Sequence, residues 1–83
     1  MYQLFIEKQV QKHLEKIPEP DYSRIKKAIL NLSNDPRPRG YKKLKGRNGY
    51  RIRQGHYRII YEIDDNKLIV YVLLAGHRGD IYE

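Results

Sequence analysis

Hydrophobic positions change period along this chain, and the changes mark out its elements. Leu4, Phe5 and Ile6 form a short apolar run that predicts a first strand. Val10, Leu14 and Ile17 then recur at helical spacing and predict a helix ending before Pro18. Pro18-Glu19-Pro20-Asp21 reads as a break followed by a helix start, because proline is tolerated in a first turn. Tyr22, Ile25, Ile29 and Leu32 make a second helical stripe, with Arg24, Lys26 and Lys27 mostly off it. That helix is expected to stop near Ser33-Asn34-Asp35-Pro36. Residues 37–48 read as a loop with a short extended piece around Lys43-Leu44-Lys45. Beyond it the period falls to two, predicting strands over 49–54, 57–63 and 67–75, the last two joined through Asp64-Asp65-Asn66. Residues 76–82 are expected to form an irregular tail.

The order is β-α-α-β-β-β, an α+β fold with two N-terminal helices packed on one face of a small, mainly antiparallel sheet. Tyr50, Ile52, Tyr57, Ile59, Tyr61 and Ile63 make the core face of that sheet. A two-residue hairpin loop at Gln54-Gly55 would supply the positive φ that such turns need. It would pair Arg53 with His56, Ile52 with Tyr57, Arg51 with Arg58, and Tyr50 with Ile59. The other face, with Arg51, Arg53, His56 and Arg58, is then expected to be open and basic. Like charges opposite one another on a sheet destabilise it by about 0.2–1 kcal/mol a pair. A polyanionic ligand accounts for such a cluster. The alternative is a solvated face that guards against edge aggregation, which mixed signs would serve equally well.

Composition sharpens this picture. The 83 residues predict one domain, 1–83, with a modest core. Chains this short bury only about 60% of their unfolded surface. There is no cysteine, which excludes disulfides, a thiolate nucleophile and a cysteine zinc site. The longest apolar run, 68–75, is far short of a membrane span, and no secretory signal opens the chain, so a cytoplasmic protein with no membrane partner is expected. The formal net charge of +7 favours nucleic acid or an acidic protein as partner. Nine of the 17 Lys and Arg residues fall within 37–58, which holds no Asp or Glu.

Several common chemistries lack their residues. No His-x-x-x-His pair or carboxylate cluster suggests a metal site, and no cofactor is expected. Gly46-Arg47-Asn48-Gly49 lacks the lysine and context of a phosphate loop, and neither Ser23 nor Ser33 has triad partners. What remains is Arg51, Arg53, His56, Arg58, His77, Arg78 and Tyr82. Residues of these types can cleave RNA without a metal. The 2′-hydroxyl must lose its proton to attack the adjacent phosphate, the added negative charge must be neutralised, and the leaving 5′-oxygen must gain a proton. Arginine supplies the neutralisation with bidentate geometry. Histidine, or a tyrosine or basic group whose pKa neighbouring cations lower, can move the protons. Each residue also has a plainer reading: His77 as a loop residue bonded to a carbonyl, His56 as a structural or phosphate contact, Tyr82 as a ring tucked on the sheet edge. His13, among charged helix residues, reads as a surface histidine.

Gly55-His56-Tyr57-Arg58-Ile59-Ile60-Tyr61-Glu62-Ile63, the run 70–74 and Gly76-His77-Arg78-Gly79-Asp80-Ile81-Tyr82 closely resemble the RelE/ParE superfamily of bacterial toxins. Tyr41-Lys42-Lys43-Leu44-Lys45-Gly46 and Tyr50-Arg51-Ile52-Arg53 are similar to the segments that precede them in that superfamily. One branch contains ribosome-dependent mRNA endonucleases, the other poisons DNA gyrase, and both are held inactive by a wrapping antitoxin. The resemblance implies the RelE-like activity, an endoribonuclease acting on mRNA in the ribosomal A site. It matches Arg58 to an arginine acting on the scissile phosphate. Arg51 and Arg53 match two basic positions that activate the 2′-hydroxyl or stabilise charge. Arg78 matches an arginine after the last strand, and Tyr82 a tyrosine that orients a base. His77 would stand where a proton shuttle is useful. Lys42, Lys43, Lys45, Arg47 and His56 are the expected RNA contacts around this set. Arginine at 51 and 53, where relatives usually have lysine, is a poorer general base. The interval from Arg78 to Tyr82 is also shorter than in the best-known member. The implied partners are mRNA, the ribosome and a cognate acidic antitoxin. A gyrase inhibitor, or a basic module without catalysis, stays as the alternative.

Overall fold

The computed structural model describes residues 1–77. The elements are β1 (Gln3–Ile6), α1 (Lys8–Glu15), α2 (Asp21–Asn31), β2 (Lys42–Lys43), β3 (Tyr50–Gln54), β4 (Tyr57–Asp64) and β5 (Ile69–His77). They build a five-stranded sheet in the order β1-β5-β4-β3-β2. Neighbours run antiparallel except β1, which lies parallel to β5. The architecture is the expected α+β, with α1 packed on β5 and α2 on β3. Among the described residues no helix is long and apolar enough to cross a membrane.

Both helices follow from their apolar stripes and from what satisfies their ends. Val10 and Leu14 of α1 are buried, and the chain closes with tight turns in which Lys16 N–H donates to the His13 carbonyl and Ile17 N–H to that of Leu14, both at 3.1 Å. Ile17 therefore leaves the helix yet still reaches the core. Pro20 caps α2 without an acceptor side chain. Glu19, one residue earlier, replaces it: its carboxylate accepts from Ser23 N–H at 2.8 Å and from Ser23 Oγ at 2.6 Å. The Ser23 hydroxyl and amide hold the Glu19 carboxyl below its usual range. Ile25 and Ile29 of α2 and Leu32 at its C-terminal cap meet Ile52, Ile59, Tyr61, Val70, Val72 and Ala75 of the sheet in one core. Each fully buried aliphatic side chain there contributes about 1.5–3 kcal/mol.

Four local expectations are corrected. The hairpin loop is Gly55-His56, not Gln54-Gly55: Gln54 pairs with Tyr57, Arg53 with Arg58, Ile52 with Ile59, Arg51 with Ile60 and Tyr50 with Tyr61. Gly55, at φ +62°, takes the first loop position, as a II′-type turn requires. Moving the turn by one residue moves the pairing by two, so every inward residue stays inward. Gly76 and His77 belong to β5, opposite Arg58 and Tyr57, rather than to a tail. The extended piece before β3 is Lys42–Lys43, while Leu44 turns inward and its N–H donates to the Gly49 carbonyl at 3.0 Å. Finally, the face away from the helices is not open throughout, since Arg51 is only 5% exposed and Ile60 only 1%.

One irregularity explains how β5 serves two faces. Ile60 pairs with Leu74 but Tyr61 with Val72, which leaves Leu73 as an extra residue in β5. Val72 and Ala75, three apart, thereby both face the core. A bulge of this kind re-aims the side chains that follow it. Here it places Gly76 in register with Arg58.

Candidate functional site

Two rows of residues cross the sheet on the side away from the helices. The outer row runs Arg53 on β3, Arg58 on β4 and Gly76 on β5; the inner row runs Lys42, Arg51, Ile60 and Leu74. Directly opposed residues on antiparallel strands have Cβ atoms about 4.5–5.5 Å apart, so the Arg53 and Arg58 side chains start as neighbours. Gly76, in register with Arg58, adds no side chain of its own to the row. Arg53 is exposed, Arg58 half-buried and Arg51 buried. The expected pair Arg51–Arg58 is thus replaced by Arg53–Arg58, with Arg51 one row behind.

Arg51 forms the back of a second basic recess. With Lys42, Lys43, Leu44 and Lys45 it lines a cavity of about 350 Å³. The two lysines of β2 and Lys45 are exposed, as is Arg47 in the loop that follows. Gly49 closes this loop at φ +127°, where a Cβ would stand 3.2 Å from Leu44 Cδ1 and 3.3 Å from the Tyr61 carbonyl oxygen. Only glycine fits there, and the fit holds the lysine-bearing turn against the sheet. The structure therefore brings Lys42, Lys43 and Lys45 beside Arg51, and leaves Arg47 at the loop tip.

His77 is placed elsewhere. Alternation puts it on the helix side of β5, in register with Tyr57. Its ring stands edge-on to Tyr57 at 5.7 Å and stacks beside His56 at 6.2 Å between centroids. His77 and Tyr57 share a cavity of about 440 Å³ with His13 and Lys16 of α1 and its C-terminal turn. The chain's three histidines thus gather at one end of the sheet, with His13 and His77 on the side away from the arginine rows. His56 sits in the loop between the two sides. Arg78 and Tyr82, the other two expected site residues, lie outside the described residues. Among the described residues no group of three or more His, Asp or Glu side chains is arranged to hold a metal ion.

The opposite end of the sheet carries a cation with a different fate. Arg37, within the basic stretch, bonds Asp65 through Nη1 at 3.3 Å and Nη2 at 2.9 Å, and lies 5.5 Å from the centre of the Tyr50 ring. Tyr2 donates its hydroxyl to the same carboxylate at 2.6 Å. Arg37 and Tyr2 hold the Asp65 carboxyl below its ordinary range, and Asp65 in turn pushes the Tyr2 phenol and the Arg37 guanidinium up. Tyr61, fully buried, donates to the Pro36 carbonyl at 2.7 Å, and burial pushes its phenol well up. Rings of Tyr41, Tyr50 and Tyr61 follow one another in tilted contacts, with centroids 5.9 and 5.8 Å apart. One of the nine clustered cations is therefore a structural latch. Asp65 lies 28 residues away, and no local pattern announces the pair.

Comparison with known proteins gives this geometry a setting. Residues 4–82 match the family described as the ParE toxin of the type II toxin-antitoxin system, parDE. No curated protein sequence matches the chain significantly. Among solved structures, the chain is similar to the archaeal RelE in the RelE–RelB complex of Pyrococcus horikoshii OT3, with TM-score 0.83 and 32% identity over 96% of this chain and 98% of that one. It is also similar to a chain of the RelBE2 toxin–antitoxin complex of Mycobacterium tuberculosis, with TM-score 0.81 and 28% identity over 93% of this chain and 98% of that one. The isolated RelE toxin of E. coli gives TM-score 0.79 and 26% identity over 93% of this chain and 84% of that one. A family match over residues 4–82, joined to these likenesses in fold, shows that the chain belongs to the ParE toxin family of type II toxin–antitoxin systems, as a RelE-like toxin of the RelE/ParE superfamily.

Proposed function

We propose that this toxin is a metal-independent endoribonuclease that cuts mRNA in the ribosomal A site of the cytoplasm and so stops translation. The observation that carries the reading is the Arg53–Arg58 pair, two arginines directly opposed in the strand register with a glycine next in the row. A phosphodiester lying over the row would meet two forks that match its non-bridging oxygens. When the 2′-oxygen attacks phosphorus, the extra negative charge develops on those oxygens, where fixed donors stabilise it most. The P–O5′ bond breaks as the P–O2′ bond forms, leaving a 2′,3′-cyclic phosphate and a 5′-hydroxyl. Arg51, held in the row behind, adds charge without mobility. In this reading Arg78 and Tyr82 complete the set from the residues after β5, and Lys42, Lys43, Lys45, Arg47 and His56 hold the flanking RNA. His77, on the helix side of the sheet, would serve as a proton carrier only for a substrate that wraps the strand end.

An antitoxin partner belongs to the same proposal. The RelE chains similar to this one were solved with RelB bound in several cases. An acidic antitoxin segment would neutralise Arg53 and Arg58 and block the row, with Arg51 already buried by the toxin's own chain. Primer extension on a reporter mRNA, in reconstituted translation with and without ribosomes, tests the activity. Cuts that need ribosomes and vanish in Arg58→Ala are expected. A second reading, inhibition of DNA gyrase, draws on the match to the ParE family. Blocked supercoiling by the folded toxin, with no mRNA cuts, would select it.

A further inference from the structure

We infer that the groove between α2 and the free end of β3 is a second RNA site, which grips the sugar–phosphate backbone without cutting it. The groove, of about 380 Å³, is lined by Arg24 and Lys27 of α2, Arg39 of the loop before β2, and Arg53. No carboxylate lines it. Arg24 and Lys27 stand three apart on one helix and so share a face, where like charges repel. Within the described residues the recorded ion pair is Arg37–Asp65, and none of the four groove cations takes part in it. Asn31 and Gln54 add amide groups of the kind that contact phosphate and sugar. The strand edge beneath is open, because β2 pairs only with Tyr50 and Arg51 and stops short of Ile52.

Three features select an RNA backbone over an acidic protein segment. The lining has no aromatic residue, and its apolar floor is only Ala28, Pro38 and Ile52. A peptide added to a strand edge draws its specificity from side-chain pockets, and protein hot spots are rich in Trp and Tyr. Three of the four cations are arginines, whose planar fork suits phosphate. Arg53 belongs both to this groove and to the row opposite Arg58. A strand of RNA held in the groove is thereby led round the end of β3 towards the arginine pair. The choice of RNA as ligand rests on the activity proposed above; the groove itself does not.

The test uses a short single-stranded 2′-O-methyl RNA, which lacks the attacking hydroxyl, and measures affinity across a salt series. Removing three phosphate contacts with Arg24→Ala, Lys27→Ala and Arg39→Ala together should flatten the slope of log affinity against log salt by about 2. Lys8→Ala, Lys12→Ala and Lys16→Ala remove the same charge from α1 and its C-terminal cap and should change the slope much less. Thermal melts establish that both triple variants are folded. Equal slopes in the two variants, or an unchanged slope in the groove variant, would overturn the inference. Loss of poly-glutamate binding with RNA binding intact would overturn it in favour of an acidic protein. Cleavage is read separately: a wild type that never cuts mRNA while the groove variant still flattens the slope sinks the endonuclease reading and keeps the groove. A wild type that cuts, beside a groove variant that binds like it, sinks the groove alone.

Discussion

Arg37 and Arg58 come from the same acid-free stretch of sequence, yet the fold gives them opposite surroundings. Arg37 meets a carboxylate, a phenol and an aromatic face at the end of the sheet where the N-terminus and the β4–β5 turn come together. Arg58, near the hairpin end, meets Arg53 across the ladder. In the first place the protein supplies the anion itself, so the cation serves the fold. In the second it sets two cations opposite each other across the ladder, an arrangement that an added anion stabilises. Charge density along the chain does not distinguish the two; the neighbours that the fold brings to each do.

The sharpest way to break this contrast is to remove Arg58. Arg58→Ala is expected to lower ribosome-dependent cleavage by roughly 100- to 1,000-fold, the usual cost of one charge-stabilising donor. A primer-extension assay showing near wild-type cutting by the folded variant would end the assignment. At the other end, Tyr61→Phe leaves the buried Pro36 carbonyl without its donor, which costs about 1–3 kcal/mol. Urea denaturation should show that loss while the folded variant cuts at the normal rate; unchanged stability would mean that the hydroxyl bond adds nothing.

Arg53→Glu turns the opposed pair into an attractive one. Stability should rise by about 0.2–1 kcal/mol while cleavage falls, a separation of fold from function at a single position. A destabilised variant would show that the two guanidiniums do not repel. The smallest effect concerns pH. Asp65 titrates lower in the folded chain than in the unfolded one, because Arg37 and Tyr2 bond its charged form. Its contribution is present above the ordinary aspartate pKa, about 3.9, and is lost as pH falls through the lower folded value. The stability gap between wild type and Asp65→Asn should therefore close on acidification, and a gap that stays constant would show that the latch is not ionic.

Much of this contrast was legible before the structure, and the parts that were not share a cause. Arg51, Arg53 and Arg58 were assigned to one face by alternation alone, and that assignment survived the corrected hairpin because the pairing moved by an even step. The burial of Arg51 was not legible, since it depends on Leu44 and the lysine turn folding back over Gly49. His77 was read as part of the site from its acid–base chemistry and from the family resemblance, just after the apolar run 68–75. The bulge at Leu73 is invisible in that run, because valine and leucine suit either face, and it decides which side His77 takes. The groove cations Arg24 and Lys27 were read only as residues off the apolar stripe; nothing local indicates that Arg39 closes over them.

The sequence by itself determined the elements and their buried faces, because periods of 3.6 and two are properties of a few consecutive residues. It determined that the chain is basic and where the cations crowd. Only the tertiary structure decided that β1 lies parallel to β5, that Arg53 rather than Arg51 faces Arg58, and that Arg37 is spent on Asp65. Those outcomes depend on which strands become neighbours and in what register. That choice is made by packing the whole core at once, so no short stretch of chain carries it.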